Sequence, residues 1–396
     1  MHGPRLEGVL PDYEGGGISS LVPEIYHRLG APIEGRVRLS EKALPGDVFK
    51  GVKRIVLIVL DGLGYNTLMR FSKRGSPRLL DYALSCSRIT SVTPSTTSSV
   101  LCTLSTGVVP AAHGILGYRI LLPREKELVD IIAFKRAYSD KLLDIDPYAQ
   151  MLAPPAFHLL SGNDVSYCVL TRDRYARSPY SRMIYRGCEV QSYFDFSDLC
   201  VRARRLIASN RFTYVYWDVL DTLGHIYGMG TEESRTEIDH LDRLISEELI
   251  EKGRQKGTLF LITADHGHID TDPAHRVKFN DHPELLRLLR AFPGGDSRLP
   301  YLYVKRGKVG QAMDYLRANP AGISAVVDRG YAIRSGLFGA AKMSREAEGR
   351  IGDLIIIPRD NWKFVYFYKE GQRDLVGRHG GLSSDEMHLP LIAIRT

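Results

Sequence analysis

The sequence predicts an α/β fold with a central, mostly parallel sheet sandwiched between helices and a small inserted cap. Short apolar runs rich in β-branched residues alternate with helix-like stretches along the chain. This alternation is typical of helices packed on both faces of a parallel sheet. Acids and histidines directly follow several of the apolar runs. In such sheets the ligand crevice lies beyond the C-terminal strand ends, so these residues are the first candidates for chemistry.

Five apolar runs are predicted to be strands, because short runs without polar alternation are typical of strands buried on both faces of a sheet. They span residues 54–60, 164–170, 212–217, 258–263 and 390–394. Helix-like stretches lie between them, for example at residues 198–209 and 232–252. The strand at 54–60 ends at Asp61, which is therefore expected at the C-terminal edge of the sheet.

The same pattern divides the chain into a core and added segments. Residues 51–282 and 351–396 form the predicted catalytic core, and residues 1–50 an extension packed on its outside. Residues 283–350 are the predicted inserted cap, with turn signals at Gly294-Gly295 and Gly349. A further insertion spans about residues 118–155.

Composition favours a packed globular protein. The chain has 396 residues, of which 44% are hydrophobic and 25% charged, and no long biased tract, so extended disorder is excluded. It shows no apolar run long enough for a membrane helix and no export signal, so we expect a cytoplasmic protein without membrane contact. The net charge of +7 favours phosphorylated or polyanionic partners.

A cluster of hydroxyl residues precedes a predicted helix that ends at Thr106-Gly107. One of Thr96, Thr97 and Ser98 is expected to cap this helix. Capping alone would explain the cluster. The alternative is a nucleophile, because a hydroxyl at a helix N-terminus faces free N–H groups that bind phosphate, and a metal ion can activate it.

Three other polar stretches contain residues suited to metal binding. Asp221 and His225 are four residues apart, so that one helical face can carry both. Asp265-His266 follows a strand, and Gly267 permits the turn that both need to reach one ion. His379 lies between glycines before the last strand.

Taken singly, these stretches are better explained by a surface or capping pair, a structural turn and an exposed loop histidine. Their common position at strand ends instead favours two metal sites. A set of Asp and His without Cys suits zinc, with manganese as the alternative.

The ordered set of motifs resembles the alkaline phosphatase superfamily and, within it, the type I phosphodiesterase/nucleotide pyrophosphatase family. The matching stretches lie between residues 54 and 381. They are LIVLDGLG around Asp61, TPSTTSSVLCTLSTG around Thr97, PAAHGI around His113, DTLGH at Asp221–His225, TADHG at Asp265 and RHGG at His379.

The resemblance implies a metal-dependent phosphodiesterase or nucleotide pyrophosphatase that acts on a phosphorylated small molecule, such as a nucleotide, through a phosphothreonine intermediate. It implies two divalent ions per chain, one held by Asp61, Thr97, Asp265 and His266 and the other by Asp221, His225 and His379. Thr97, nine residues before Thr106, takes the place of the family's nucleophile. The N–H of Ser98 is expected to bind substrate. Tyr118 stands where nucleotide-cleaving members usually have an asparagine that binds phosphate.

Two alternatives stay open. A phosphomonoesterase of the same superfamily would use the same metals with a different pocket. A nucleic-acid-binding protein would use a basic and aromatic run, for which an ion-paired loop is the favoured interpretation and a substrate-anion wall another. The run comprises Arg172, Arg174, Tyr175, Arg177, Tyr180, Arg182, Tyr185 and Arg186.

Overall fold

The computed structural model describes residues 6–396 except residues 74 and 76. In chain order the strands are β1 (Arg54–Leu60), β2 (Ser85–Thr90), β3 (Arg119–Leu122), β4 (Glu127–Asp130), β5 (Lys135–Arg136), β6 (Tyr167–Arg172), β7 (Val190–Tyr193), β8 (Phe212–Trp217), β9 (Thr258–Thr263), β10 (Ile269–Asp270), β11 (Arg276–Lys278), β12 (Gly294–Asp296), β13 (Leu299–Leu302), β14 (Ile323–Asp328), β15 (Leu354–Pro358), β16 (Lys363–Val365), β17 (Gly377–Arg378) and β18 (His388–Arg395).

The helices are α1 (Leu21–Leu29), α2 (Tyr65–Ser72), α3 (Arg78–Asp81), α4 (Thr97–Thr106), α5 (Pro110–His113), α6 (Phe157–Gly162), α7 (Asp173–Ala176), α8 (Pro179–Ile184), α9 (Phe196–Ser209), α10 (Val219–Tyr227), α11 (Glu232–Leu244), α12 (Pro283–Leu288), α13 (Val309–Ala318), α14 (Arg329–Arg334), α15 (Arg345–Arg350) and α16 (Ser384–Met387). A π-helical segment, Ile245–Glu251, continues α11. No helix of the described residues is long and apolar enough to cross a membrane.

A seven-stranded sheet in the order β2-β18-β9-β1-β8-β6-β7 forms the centre of the molecule. The strands β9, β1, β8, β6 and β7 are mutually parallel, whereas β18 runs antiparallel to both of its neighbours. Every residue of β8 and β9 is buried, as expected for apolar strands covered on both faces. The predicted fold class, a mostly parallel sheet between helices, is confirmed.

Two predicted strands differ in detail. The strand predicted at 164–170 begins only at Tyr167, because Asp164 has a left-handed backbone, with φ of 54°, and belongs to the preceding turn. The strand predicted at 390–394 is longer in the structure, where it is β18. Its apolar residues do not indicate that it runs antiparallel to its neighbours. An antiparallel neighbour is as apolar as a parallel one when both faces are covered.

A second sheet, of seven antiparallel strands, lies beside the first in the order β14-β15-β13-β12-β3-β4-β5. Its strands β3 to β5 come from the insertion at 118–155, and β12 to β14 from the predicted cap. The two segments thus form one unit joined by the pairing of Gly295 with Arg119. The unit also includes β15, which follows residue 350. The predicted domain boundaries themselves stay a prediction.

The helix that carries Thr97 is anchored at its other end by a buried histidine. His113 Nδ1 accepts a hydrogen bond from the Ile115 N–H at 3.1 Å, so the imidazole donates through Nε2 to Thr103 Oγ1 at 3.0 Å. Thr103 in turn donates to Ser99 O at 3.0 Å, within the first turn of α4. His113 therefore ties α5 to α4 as a neutral imidazole.

We expect His113 to make the folded state less stable in acid. Burial, aided by the charge of Arg350, lowers the pKa of His113 to about 3 from an ordinary value of 6.5. Between these values the unfolded chain binds a proton that the folded chain does not. The free energy of unfolding should therefore fall by up to about 1.4 kcal/mol per pH unit below pH 6.5. Urea unfolding at several pH values between about 7 and 5 measures this slope.

The His113→Asn variant should lose this contribution, so that its stability depends less steeply on pH than that of the wild type. The exposed His158 provides a matched control, since His158→Asn should keep the wild-type slope. Equal slopes for the wild type and His113→Asn would show that His113 is not held neutral.

Candidate active site

The C-terminal ends of three neighbouring strands bring the predicted acids together. Strand β1 pairs in parallel with β8 on one side and β9 on the other, so all three end at the same edge. Asp61 directly follows β1, Asp265 follows β9, and Asp221 lies in the first turn of α10, which begins two residues after β8.

Asp61, Asp265 and His266 form a buried group around one point. His266 Nε2 lies 3.3 Å from Asp61 Oδ1 and 3.5 Å from Asp265 Oδ2. The hydroxyl oxygen of Thr97 lies 3.1 Å from the same nitrogen. One ligand atom from each of the three residues falls within 4.8 Å of the others, which suits a single cation. The predicted nucleophile and its three predicted co-ligands are thus brought together.

Asp221, His225 and His379 form a second, adjoining group. His225 Nε2 lies 3.4 Å from Asp221 Oδ1 and 3.2 Å from His379 Nε2. The rings of His379 and His266 stack, with centroids 3.6 Å apart, so the two groups share a boundary. All seven side chains predicted to bind metal therefore lie in one double cluster.

The imidazoles are oriented by their far nitrogens. Nδ1 of His225 bonds to Gly377 O at 2.8 Å, that of His266 to Gly267 O at 3.1 Å, and that of His379 to Ser95 O at 3.2 Å. A carbonyl can only accept, so each Nδ1 carries the proton and each Nε2 presents a lone pair to the centre. This arrangement is typical of histidines that bind metal.

The ionisation of these groups is set by burial and by their mutual charges. Burial raises the pKa of Asp61 well above its usual range, and the Asp265 carboxylate raises it further. Burial acts the same way on Asp221, but the surrounding imidazoles outweigh it and hold the pKa of Asp221 well below its usual range. Burial also lowers the pKa of His225, to about 4, and that of His379. The two imidazoles are consequently neutral at physiological pH.

These donors fit a divalent cation. Asp61 Oδ1 and Asp265 Oδ2 are buried and lack a hydrogen-bond partner among the described residues, although buried carboxylate oxygens are normally satisfied. Both point into the group that also holds His266. Buried carboxylates this close repel each other unless a positive charge lies between them. Oxygen and imidazole donors in this ratio suit zinc or manganese.

Close backbone packing explains two glycines of the site. A Cβ on Gly267 would lie 2.0 Å from Asp385 O, so Gly267 is required for space rather than for the turn predicted from the sequence. Gly62 has φ of 83° and leaves room for the ring of His268. His268 bonds through Nε2 to Asp221 Oδ1 at 2.8 Å and thereby orients that carboxylate.

The N-terminus of α4 presents Thr97 to both groups. Thr96 occupies the N-cap position but does not cap through its side chain; its hydroxyl instead donates to Asp296 Oδ1 at 3.3 Å. Thr97 is the first residue of the helix, and the N–H of Ser98, the next, makes no hydrogen bond to any described residue. The N-terminus of α4 therefore places the free N–H of Ser98 beside the Thr97 hydroxyl at the cluster.

Sequence reasoning missed two residues of the site. The hydroxyl of Tyr216 donates to Asp61 Oδ2; its position beside the end of β1 in the parallel register is the signal that could have indicated this contact. Asp296 accepts hydrogen bonds from the Thr96 hydroxyl and from the N–H of Tyr118. Burial raises the pKa of Asp296 to about 6. No sequence signal links Asp296 to Thr96, because they lie 200 residues apart.

A cavity of about 380 Å³ extends from the cluster towards the second sheet. The candidate ligands Thr97, Asp221, His225 and His379 line it, together with Tyr118 and with Arg119 of the second sheet. Arg378, which precedes His379, also lines it. Burial lowers the pKa of Arg378, and the carboxylate of Asp374, 3.3 Å away, opposes this shift.

The basic and aromatic run forms an ion-paired region, as favoured from the sequence. Arg172 and Arg174 both pair with Asp218, which also accepts the hydroxyl of Tyr175 at 2.9 Å. Tyr180 and Tyr185 are buried in the main core. Their rings are therefore not presented for stacking on nucleic-acid bases.

The family model for type I phosphodiesterase/nucleotide pyrophosphatase matches residues 55–382. Among solved structures, mouse ectonucleotide pyrophosphatase/phosphodiesterase 5, in an inactive threonine-to-alanine form in complex with AMP, is 14% identical with a TM-score of 0.66, covering 86% of this chain and 88% of that chain. The human protein of the same name is 16% identical with a TM-score of 0.65, covering 86% and 87%. Phosphonoacetate hydrolase from Sinorhizobium meliloti 1021, in complex with phosphonoformate, is 19% identical with a TM-score of 0.64, covering 87% and 90%. No curated protein sequence matches the chain.

We expect the protein to bind about two divalent ions per chain, one in each group, as two-metal sites do. The variants His266→Gln and His225→Gln each remove one imidazole from one group. Each should lower the metal content to about one ion per chain. Elemental analysis after dialysis against zinc or manganese measures it. His282→Gln, which alters a histidine bonded to Tyr315 away from the cluster, should retain the wild-type content. Unchanged content in both cluster variants would contradict the assignment.

Proposed function

Since the chain belongs to the type I phosphodiesterase/nucleotide pyrophosphatase family of the alkaline phosphatase superfamily, and is therefore a phosphoester hydrolase, we propose that it is a metal-dependent phosphodiesterase that acts through a phosphothreonine at Thr97. The observation that carries this proposal is the position of the Thr97 hydroxyl, 3.1 Å from His266 Nε2 in the double cluster of acids and imidazoles. The proposed substrate is a phosphorylated small molecule, with nucleotides as the first candidates.

Thr97 is positioned to attack a phosphorus atom held at the cluster. Its hydroxyl projects from the first residue of α4. The hydrogen bonds that link His113 to Thr103, and Thr103 to Ser99, hold the backbone of this helix in place. In the proposed reaction the oxygen of Thr97 forms a bond to phosphorus while the bond to the leaving oxygen breaks. Bound divalent ions would lower the pKa of the attacking hydroxyl and offset the charge of the phosphate oxygens.

Two donors of the chain are proposed to bind the phosphate. The N–H of Ser98 is free and lies at the positive end of the α4 dipole. Tyr118 lines the same cavity, and burial raises the pKa of its hydroxyl to about 12, so the hydroxyl keeps its proton at neutral pH and is available as a donor to a phosphate oxygen. Tyr118 thus offers one hydrogen bond where related nucleotide-cleaving proteins use an asparagine.

The second half of the reaction returns the enzyme to its starting state. Water attacks the phosphothreonine from the side that the leaving group vacated, and the oxygen of Thr97 departs and regains a proton. The mouse structure supports the choice of Thr97, because its inactive form has alanine in place of a threonine, and its bound AMP supports a nucleotide as substrate.

We expect Thr97→Ala to lower turnover of bis(4-nitrophenyl) phosphate by at least about 1,000-fold, since a lost nucleophile is not replaced by its neighbours. Its metal content should stay near that of the wild type. Acid-quenched wild-type enzyme should carry a phosphoryl group on the peptide that contains Thr97, detectable by mass spectrometry.

Thr96→Ala is the matched control for this experiment. Its hydroxyl points to Asp296, so turnover should stay within about tenfold of the wild type. A larger loss in Thr96→Ala than in Thr97→Ala would transfer the nucleophile to Thr96. Chelation should abolish hydrolysis, and zinc or manganese should restore it.

A second experiment tests the donor and the ester type together. Tyr118→Phe should lower kcat/KM by about ten- to a hundredfold, as expected for a lost hydrogen bond to a charged group. Wild-type enzyme should hydrolyse bis(4-nitrophenyl) phosphate faster than 4-nitrophenyl phosphate. Faster hydrolysis of the monoester would favour the phosphomonoesterase alternative, and an unchanged rate in Tyr118→Phe would remove Tyr118 from the site.

A further inference from the structure

We propose that the cleft contains a second anion-binding subsite, formed by Arg119 and Arg378, which takes a carboxylate or phosphate that the substrate carries in addition to the phosphate that is hydrolysed. This inference rests on the proposed function, because it concerns the substrate of the same cleft. It adds a determinant of specificity that lies outside the metal cluster.

The wall behind this subsite carries more positive than negative charge. Asp374 is shared by three cations: it pairs with Arg276 at 2.6 Å, with Lys363 at 2.7 Å and with Arg378 at 3.3 Å. Lys363 is almost fully buried. One carboxylate cannot neutralise three cations, and an excess of charge is unfavourable in a protein interior. An anion in the cavity would reduce this excess.

Arg119 adds a further cation from the opposite side of the cavity. It lies at the start of β3 and pairs with Asp130, with Nε 2.8 Å from Oδ1. Its guanidinium also packs on the rings of Tyr118 and Tyr138, at 5.1 and 4.7 Å from their centroids. These contacts fix the side chain and leave 26% of it exposed. It is thus a rigid cation rather than a mobile surface arginine.

Both arginines share one space with the predicted nucleophile. Arg119 and Arg378 line the cavity of about 380 Å³ that also contains Thr97. Within the described chain, Arg378 Nε is buried without a hydrogen-bond partner, although buried guanidinium nitrogens are normally bonded. Two guanidinium groups that line one cavity beside the proposed phosphate-binding centre fit an anion there, because arginine binds carboxylate and phosphate through paired N–H groups.

A further acid that lines the cavity, Asp296, is engaged by other residues. Asp296 accepts hydrogen bonds from Thr96 and from the Tyr118 N–H, so its oxygens face these two residues. Neither arginine forms a salt bridge with Asp296 among the ion pairs of the described residues. Asp296 therefore does not fill the role of the missing anion.

Substrates that differ only in charge test the subsite. The probes are 4-nitrophenyl phosphodiesters of hydroxyalkanoic acids with two to four carbons, each paired with its neutral carboxamide, and a parallel series that ends in phosphate. At the best chain length we expect kcat/KM for the carboxylate to exceed that for the carboxamide by at least about tenfold, the effect of one charge-assisted hydrogen bond. The phosphate series shows which anion is preferred.

Arg119→Gln is the main variant, because Arg378 adjoins the metal-binding His379 in the chain. The variant should lower the ratio of the anionic to the neutral substrate to near one. Arg119→Lys, which keeps the charge and loses the planar group, should give an intermediate ratio, and thermal melting checks that both variants fold. Arg317→Gln, at an exposed arginine of α13, is the matched control and should keep the wild-type ratio.

The outcomes separate this inference from the proposed function. If the wild type hydrolyses both members of each pair equally at every chain length, the subsite does not exist even though the hydrolase assignment holds. The same follows if Arg119→Gln keeps the wild-type ratio. If no diester is hydrolysed, the proposed function fails. Calorimetry with the same pairs then shows whether the subsite exists. If it does, the affinity for the carboxylate must still exceed that for the carboxamide, and the difference must depend on Arg119.

Discussion

The central constraint on this protein is the electrostatic repulsion among Asp61, Asp221 and Asp265 at one edge of the main sheet. Asp61 and Asp265 are almost fully buried, and their free oxygens face the same point. Such an arrangement is unfavourable for an empty protein, because burial and like charge both oppose ionisation. It becomes favourable when divalent cations neutralise the carboxylates. Burial, and after it the charges of Asp265 and Asp221, raise the pKa of Asp61.

Much of the surrounding structure holds the donors in place. Backbone carbonyls fix the protonated nitrogens of three imidazoles, Tyr216 fixes Asp61, and His268 fixes Asp221. Gly267 lets one loop approach another where any side chain would collide with Asp385 O. A rigid set of donors loses little entropy when an ion binds, and it holds the threonine oxygen in a fixed position beside the candidate ligands.

The second sheet and the turns beside it supply residues that can distinguish one substrate from another. The cluster is suited to a phosphate but contains nothing that distinguishes one ester from another. The second sheet contributes Tyr118, Arg119, Tyr138 and Asp296 to the same cavity. Arg119 and Asp296 belong to paired strands, whereas Tyr118 directly precedes β3 and Tyr138 lies in a turn two residues after β5. The residues proposed to select the substrate therefore come from a different sheet than the candidate metal ligands.

The sequence by itself determined the fold class, and the resemblance of its motifs to a known family proposed the seven candidate ligands, with Thr97 among them as the candidate nucleophile. Apolar strands followed by acids carry this information locally, and a parallel sheet must gather its C-terminal ends at one edge. Only the tertiary structure decided the direction of β18, the joining of two insertions into one sheet, and the contacts of Tyr216, Asp296 and Arg119. These depend on pairing between segments far apart in the chain, for which local periodicity and turn signals provide no information. Thr96 and Thr97 show the same limit: the motif proposed one of two adjacent hydroxyls, and the structure directs one to His266 and the other to Asp296.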